Sequence, residues 1–291
     1  MSEDNSYSKR WQRDGAVHVP GLLKPECLPE LRKMAEWCLS RWNLHNPETG
    51  KPGLTEDLDN IFHINRPEYF ESRPDLLRLL LETAAHPDIL RILAEILGSP
   101  PIFRHTTLWK NPLDKNADGS WHRDSQFLTK TELEEKKLIE NANTTSFRSI
   151  QVQIALVSND DVEVVPGSHL RWDSDEEYRI RRQDDYRNSS SHDMPGAFRI
   201  AMKPGDAAFF SSFGLHRGRY LQDNYRRTLM FTYGQLGNEL RHEYFTNQPW
   251  FLTENYLVGL SPEACAFYQH FIDTHKDDWI EWEKQGVKIV L

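Results

Sequence analysis

The sequence predicts a mainly β domain with flanking helices, whose core is a jelly roll or a barrel. Two observations indicate this class: short segments of alternating apolar and polar residues recur after residue 101, and turns rich in Gly and Pro separate them. Helical periodicity dominates the segments before and after this region. There is no internal repeat, and 291 residues with 38% hydrophobic content suffice for one large domain or two small ones.

The first 100 residues are predicted to be mostly helical. Ser8–Asp14 forms a short amphipathic segment that ends at Gly15, and the alternation in Ala16–Val19 predicts an outer strand. From Lys24 to Leu44 the apolar residues repeat with the helical period, so one stripe of a long helix should pack on the core. The stripe consists of Leu28, Leu31, Met34, Ala35, Cys38, Leu39 and Trp42.

A polar segment separates this helix from two shorter ones. Asn46–Arg73 is polar, aromatic and interrupted by Pro and Gly, and it is predicted to be a long loop of the kind that is often functional. Apolar periodicity then predicts helices over Pro74–Thr83 and Pro87–Leu97. We therefore assign residues 1–100 to a helical N-terminal part of the domain.

The predicted core occupies residues 101–235. Two charged insertions interrupt it, Thr129–Asn143 with a helical pattern and Trp172–Pro195; they could cover the mouth of a barrel, although solvated surface segments carry similar charges. Residues 236–291 form a helical extension, in which helices from Pro262 to Trp282 pack outside the barrel or form a dimer surface. The predicted strands are Ile102–Trp109, Trp121–Phe127, Phe147–Ser158, Val162–Val165, Ala197–Met202, Ala207–Ser211 and Arg227–Tyr233.

Composition excludes several classes of protein. The net charge of −9 argues against a nucleic-acid partner, because phosphate binding needs a basic face. Three cysteines form neither a disulfide framework nor a metal-binding spacing, which favours a reducing compartment. The polar N-terminal residues lack an apolar signal core, and no apolar run reaches transmembrane length. We therefore expect a cytoplasmic protein without a membrane partner, as a monomer or homodimer.

The candidate metal motif is His122-Arg123-Asp124. In a strand, residues two apart point to the same face, so His122 and Asp124 would present an imidazole and a carboxylate side by side. Two His and one carboxylate on one face of a ferrous ion leave positions open for substrate and oxygen.

Two other segments share the His-x-Asp spacing. In His86-Pro87-Asp88 the acid opens an apolar-periodic run, which is typical of the start of a helix. His275-Lys276-Asp277 lies in or just after a helical pattern, where residues two apart do not share a face. Capping and solvated charge are the better interpretations for these two segments.

A second histidine, His216, is the candidate third ligand. It follows the apolar strand Ala207–Ser211 and a short bend, and eleven residues later Arg227 begins another strand. A planar guanidinium matches a carboxylate, as a small dicarboxylate co-substrate would supply. Alone, each residue is better explained as an ordinary core or surface residue. Together with the upstream His-x-Asp, the two favour a metal site.

These motifs resemble those of the phytanoyl-CoA dioxygenase (PhyH)-like family of Fe(II)/2-oxoglutarate-dependent oxygenases. The resemblance covers roughly residues 16–233, and its most specific marker is the Val-Pro-Gly-Ser-His stretch that ends at His169. The other matching segments are Trp121-His122-Arg123-Asp124, Pro204-Gly205-Asp206 and the pair His216 and Arg227. The resemblance implies a single domain over residues 1–291 with a double-stranded β-helix (jelly roll, cupin-like) core.

The resemblance also implies roles for residues. Arg227 would hold the far carboxylate of 2-oxoglutarate, with Arg226 as the alternate because neighbouring strand residues point to opposite faces; the eleven-residue spacing favours Arg227. His169 is a rival metal ligand that the family pattern makes structural. The implied iron ligands, which are also the catalytic residues, are His122, Asp124 and His216.

By the same resemblance the protein is an enzyme whose cofactors are Fe(II), 2-oxoglutarate and O2. It would hydroxylate or otherwise oxidise an unactivated C–H bond of a small organic substrate and release succinate and CO2. Because Asp124 is present, hydroxylation is expected rather than halogenation. The alternative is a cupin-like metal-binding isomerase or binding protein without 2-oxoglutarate turnover.

Proximity to the motifs suggests four substrate residues: Trp121, Arg123, Phe127 and Arg217. Arg123 stands where Gln is common in the family and Arg217 where Gly often follows the second His. Gln151 and Gln153 share one face of their strand and point either into a polar cavity or to solvent. The acidic net charge mildly disfavours a polyanionic CoA ester, although the arginines within residues 179–187 could override this effect.

Overall fold

Two antiparallel sheets form the core of the protein in a computed structural model, which describes residues 6–45, 60–112, 116–141, 149–237 and 241–288. Their strands are β1 (Ala16–Val19), β2 (Asn60–Phe62), β3 (Pro101–Lys110), β4 (Ala117–Asp118), β5 (Ile150–Ala155), β6 (Val162–Val164), β7 (Phe198–Arg199), β8 (Ala207–Ser211), β9 (His216–Tyr220) and β10 (Arg227–Gln235). The larger sheet has the order β1-β8-β5-β10-β3-β2 and the smaller one β4-β9-β6-β7. β1 lies at an edge, as an outer strand should.

The two sheets share an apolar layer. Ala155, Ala208 and Phe210 from the larger sheet pack with Val162 and Val164 from the smaller one. Each strand alternates between this layer and its opposite face, as period-two side-chain geometry requires. The predicted mainly β, jelly-roll core is confirmed.

The helices cover the outer face of the larger sheet. On β10, Leu229, Phe231 and Tyr233 point to this side and join one large buried cluster with the N-terminal helices. The helices are α1 (Tyr7–Asp14), α2 (Leu28–His45), α3 (Pro74–Ala84), α4 (Pro87–Leu97), α5 (Glu132–Glu140), α6 (Asp175–Arg181), α7 (Glu243–Thr246) and α8 (Pro262–Lys284). None of these helices, within the part of the chain that the structure describes, is long and apolar enough to cross a lipid bilayer.

The N-terminal helices follow the predicted pattern closely. Ser6 caps the first helix, and Gly15 ends it in the left-handed conformation with φ of 68°. All members of the predicted stripe of α2 are buried except Leu39, which is half-buried. His86 caps α4 and Asp88 lies in its first turn, so this His-x-Asp segment is a helix start.

The C-terminal helix α8 belongs to the same core. Phe267, Tyr268 and Phe271 surround Phe103 of β3, with ring centroids 6.3, 5.3 and 5.1 Å away. His275 is buried within this helix and does not line the cavity described below. The helix therefore packs on the barrel's outer surface.

Several predicted elements differ from the structure. Of the predicted loop Asn46–Arg73, residues 46–59 lie outside the described residues, and the rest contains β2 and a short 3-10 helix (Pro67–Tyr69). β2 is too short to show an alternating pattern. β9 was not predicted because its sequence, His-Arg-Gly-Arg-Tyr, is polar throughout. The two insertions contain α5 and α6; residues 142 and 143 of the first lie outside the described residues.

Candidate metal centre and its cavity

Three side chains from distant parts of the chain meet in a cavity of the barrel. Oδ1 of Asp124 lies 3.6 Å from Nε2 of His122 and 3.6 Å from Nε2 of His216. One ligand atom from each residue lies within 4.8 Å of the others, close enough to hold one metal ion. The structure thus brings the three predicted ligands together, and we call them the triad.

The backbone around the triad is not the predicted strand Trp121–Phe127. His122 forms a single antiparallel β-bridge with His216. The backbone N of each residue lies 3.1 Å from the carbonyl oxygen of the other. Asp124 begins a 3-10 helix (Asp124–Phe127), and its N–H donates to the carbonyl of Ser212 at 2.8 Å. The strand prediction was wrong because one extended residue, Arg123, suffices to place both side chains on the same side before the chain turns.

Backbone carbonyls orient both histidine rings. Nδ1 of His122 lies 2.7 Å from the carbonyl oxygen of Ser120, and Nδ1 of His216 lies 2.9 Å from the carbonyl oxygen of Gly214. A carbonyl only accepts, so each Nδ1 carries the proton and donates it, and each Nε2 keeps its lone pair. Both lone pairs are then available to a metal ion, which is how metal-binding histidines are usually fixed.

A glutamine holds the carboxylate. Nε2 of Gln151, on β5, donates to Oδ2 of Asp124 at 2.6 Å. This contact leaves Oδ1 as the oxygen that faces both histidines. Gln151 and Gln153 both line the cavity, so of the two orientations that the sequence left open, the inward one is correct.

Burial favours the neutral forms of Asp124 and His216. Burial raises the pKa of Asp124, although His122 and the hydrogen bond from Gln151 oppose the shift. Burial lowers the pKa of His216 well below its usual value, and nearby His122 adds to this effect. A bound cation would favour the ionised carboxylate and needs a neutral imidazole. Two imidazoles and one carboxylate are also the donor set of non-haem ferrous sites, so the residues present fit such an ion.

The triad lies in the wall of a cavity of about 630 Å³. Aromatic and apolar side chains make up much of the surface, and a few polar groups interrupt it. The other described residues of the wall are Asn60, Phe62, His105, Trp109, Phe127, Gln151, Gln153, Val162, Phe210, Arg217, Gly218, Tyr220, Arg226, Met230, His242, Glu243, Tyr244 and Phe245.

Arg226, rather than Arg227, reaches this cavity. Its guanidinium packs beside the rings of Trp109 and Tyr220, 5.2 and 5.5 Å from their centroids, and its Nε is 3.0 Å from Oδ2 of the buried Asp161. Arg226 is only 3% exposed, so the surrounding side chains hold its position firmly.

Arg227 points to the helices. Its Nε and Nη2 donate to the two carboxylate oxygens of Glu36 on α2, at 2.5 and 3.2 Å. The structure thus places the alternate residue, Arg226, in the cavity and the preferred residue, Arg227, outside it, and the residue that binds 2-oxoglutarate stays a prediction. The physical reason is strand parity: Arg227 shares a face with Leu229 on the helix side, whereas Arg226 shares one with Met230 on the cavity side.

Two of the four predicted substrate residues line the cavity and two do not. Phe127 and Arg217 line the cavity, but the guanidinium of Arg217 is paired with Glu163 at 2.8 Å. Trp121 and Arg123 do not line it, so the cavity gives their predicted substrate role no support. The indole of Trp121 is buried and donates to the carbonyl of Ser191 at 3.0 Å.

Arg123 and His169 have structural positions. The guanidinium of Arg123 is fully buried, 2.7 Å from Asp173 and hydrogen-bonded to the carbonyls of Ser168 and Phe213. His169 is buried beside Trp11, 6.0 Å between ring centroids, and is not part of the triad. The backbone extends through Arg123, so its side chain points opposite to those of the two ligands beside it.

The C-terminal extension supplies cavity residues that the sequence did not reveal. His242, Glu243, Tyr244 and Phe245 line the cavity from α7 and its N-cap. Asn60 and Phe62 reach it from β2. Neither segment carries a motif or a periodic pattern, so only their aromatic content could have drawn attention to them.

Comparison with known proteins places the chain in a family that matches the triad and the β core. The family profile described as phytanoyl-CoA dioxygenase (PhyH) matches residues 11–222. No curated protein matches the chain.

Among solved structures, EctD from S. alaskensis with 2-oxoglutarate and 5-hydroxyectoine has a TM-score of 0.56 and 19% identity over 87% of this chain and 86% of its own. The α-ketoglutarate-dependent epimerase SnoN from nogalamycin biosynthesis, in complex with Fe3+, α-ketoglutarate and nogalamycin RO, has a TM-score of 0.52 and 22% identity over 79% and 82%. The carbocyclase SnoK from the same biosynthesis has a TM-score of 0.53 and 16% identity over 81% and 85%. At these identities the likeness establishes a shared fold.

Proposed function

Because the chain belongs to the phytanoyl-CoA dioxygenase family, we propose that it is an Fe(II)- and 2-oxoglutarate-dependent dioxygenase. It hydroxylates an unactivated C–H bond of a small organic substrate and releases succinate and CO2. The observation that carries this proposal is the triad, whose three ligand atoms converge in the wall of a cavity large enough for two small molecules.

His122, Asp124 and His216 would hold the iron. When bound, the iron supplies the oxidising chemistry and leaves coordination positions open for 2-oxoglutarate and O2. The protein's part is to present two imidazole nitrogens and one carboxylate oxygen in a fixed arrangement. The carbonyls of Ser120 and Gly214 orient the imidazoles, and Gln151 orients the carboxylate.

Arg226 would bind the far carboxylate of 2-oxoglutarate. It is buried in the cavity wall, and a guanidinium pairs strongly with a carboxylate because several N–H donors match two oxygens. The rings of Trp109 and Tyr220 restrict its motion before the co-substrate arrives, so little conformational entropy is lost on binding.

The composition of the triad and the surface of the cavity both favour hydroxylation as the reaction type. Asp124 supplies a protein ligand at the position that halogenation would leave to chloride, which favours hydroxylation. Gln153 and Met230 line the same cavity, and its aromatic surface would help to exclude water from the reacting atoms. The neighbouring folds include an epimerase and a carbocyclase, so the product must be identified directly.

The test is a compound screen with the Fe(II)-loaded protein, in which succinate formation and O2 consumption are measured together. We expect matched stimulation by a true substrate and an oxygenated product by mass spectrometry. His216→Ala is the control and should show no stimulation. If the wild-type protein binds iron but never converts 2-oxoglutarate, a metal-binding isomerase or binding protein is the better assignment.

A further inference from the structure

We infer that the substrate of the proposed dioxygenase is an uncharged molecule with a flat ring system and hydroxyl or carbonyl substituents, held against an aromatic wall beside the triad. The aromatic wall consists of Phe62, His105, Tyr244 and Phe245. This inference rests on the proposed function and adds to it the class of substrate.

The aromatic wall is a continuous set of packed rings. Phe62 stacks on His105 with centroids 4.4 Å apart and planes at 28°, and His105 stacks on Phe245 at 5.5 Å and 25°. Tyr244 packs beside Phe62 at 4.9 Å and beside Phe245 at 4.9 Å. Burial lowers the pKa of His105 well below its usual value, so this ring is neutral as well. Such a wall offers apolar faces and edges to another ring.

Aromatic rings also flank the triad directly. The ring of Phe127 lies 6.0 Å from that of His122, and the ring of Phe210 lies 5.4 Å from that of His216. Phe127 is 63% exposed and Tyr244 is 40% exposed, both at the same cavity. Large apolar side chains gathered in this way commonly mark a binding surface, because a ligand that covers them removes their apolar area from water.

Neither arginine of the cavity is left for a charged substrate. Arg217 pairs with Glu163 at 2.8 Å, and Arg226, which lies 3.0 Å from Asp161, is assigned to 2-oxoglutarate. These are the only Arg or Lys side chains among the described residues of the wall. A substrate carboxylate, phosphate or CoA group would therefore lose its hydration without gaining a cation of its own.

The acidic side chains give no binding site for a cationic substrate either. Asp124 would hold the metal, and the side chain of Glu243 is 51% exposed, so its carboxylate stays hydrated and would hold a cation only weakly. The uncharged amides Asn60 and Gln153 also line the cavity. Amides hydrogen-bond to hydroxyl and carbonyl groups without demanding a charge, which completes the substrate class that we infer.

Half of the aromatic wall lies outside the part of the chain that matches the family profile. Tyr244 and Phe245 come after the residues 11–222 that match the family profile. The C-terminal extension is therefore expected to determine which ring system is accepted, while the barrel supplies the metal centre.

Calorimetric titration with a matched set of naphthalene probes tests the inference. The probes are 2-naphthalenemethanol, 2-naphthoate and 2-naphthalenemethylamine, which share a ring system and differ in charge. The protein is prepared anaerobically with Fe(II), once with and once without 2-oxoglutarate. We expect the alcohol to bind at least about tenfold more tightly than either charged probe in both preparations, because only the charged groups lose hydration without a partner.

Variants locate the binding surface. Phe245→Leu keeps an apolar side chain and should fold; we expect it to weaken binding of the alcohol by roughly three- to tenfold, the usual size of an aromatic pair contribution. Phe198→Ala, at an exposed Phe on β7 that does not line the cavity, is the matched control and should leave binding unchanged.

The outcomes separate this inference from the proposed function. Tighter binding of the naphthoate or the amine, or unchanged binding in Phe245→Leu, would overturn the substrate class even if 2-oxoglutarate binds normally. Failure of wild-type protein to bind 2-oxoglutarate would overturn the proposed function. If 2-oxoglutarate does not bind, the titration without it still measures the preference for ring system and charge.

Discussion

Gln151 is the residue through which the arrangement of the triad can be tested most directly. Its amide donates to Oδ2 of Asp124 at 2.6 Å, while Oδ1 faces both histidines. Replacement by Leu removes the donor at similar volume. The half-buried carboxylate would then lose the partner of one oxygen, and it would be free to rotate away from the geometry that a metal needs.

The magnitude follows from the kind of bond that is lost. A hydrogen bond to a charged group contributes about 1.5–3 kcal/mol. Residues that orient metal ligands typically change metal affinity by roughly 10- to 100-fold when they are replaced. We therefore expect Gln151→Leu to weaken Fe(II) binding by this factor and leave the fold intact.

The measurement is a competition titration of Fe(II), or of Co(II) as a redox-stable substitute, against a chromophoric chelator. Gln153→Leu is the matched control, because Gln153 lines the cavity from the same face of β5 and its Nε2 lies near Sδ of Met230, at 3.9 Å, rather than at Asp124. Equal metal affinity in Gln151→Leu and wild type, with both proteins folded, would refute the view that this hydrogen bond positions Asp124.

Three further expectations concern the triad, the co-substrate and the fold. Alanine at any triad position should lower succinate formation to background, and wild-type 2-oxoglutarate decomposition in any of these variants would count against the assignment. Arg226→Ala should raise the KM for 2-oxoglutarate by roughly tenfold or more, since a charge-assisted pair is lost, with iron still bound in the chelator assay. Arg227→Ala should leave that KM nearly unchanged. It should lower the free energy of unfolding by less than about 1 kcal/mol, since its partner Glu36 has a side chain that is 47% exposed. If Arg227→Ala raises the KM and Arg226→Ala does not, Arg227 binds 2-oxoglutarate after all. Phe271→Ala should lower the free energy of unfolding by about 3–5 kcal/mol, because this ring is fully buried against Phe103; a loss below about 1 kcal/mol in denaturant titration would show that α8 is not integral to the core.

The fold class was readable because alternation and helical periodicity are local properties. Strands such as Ala207–Ser211 carry enough apolar residues for their period to be seen, and Gly and Pro mark the turns between them. Elements that are polar or very short were missed or misassigned. β9 is polar, with Arg217 ion-paired to Glu163 of β6 and His216 in the triad, and β2 is only three residues long.

The choice between Arg226 and Arg227 shows where spacing reasoning fails. The eleven-residue spacing was counted from His216 to the arginine across the turn between two strands. If that turn is one residue shorter, the other of two neighbouring arginines faces the cavity. The apolar alternation of Leu229 and Phe231 against Met230 already contained the correct parity. The same geometry applied to Arg123, between two ligands, would have predicted that it points away from the cavity.

By itself, the sequence determined the class of fold and pointed to the three side chains of the candidate metal centre, because both depend on residue type and local pattern. Only the tertiary structure decided which arginine reaches the cavity, which residue holds the carboxylate, and which aromatic rings form the substrate wall. Those features depend on contacts between segments up to about 180 residues apart, such as Phe62 against Tyr244 and Phe245. Side chains brought together in that way leave no periodic or spacing signal in the chain that carries them.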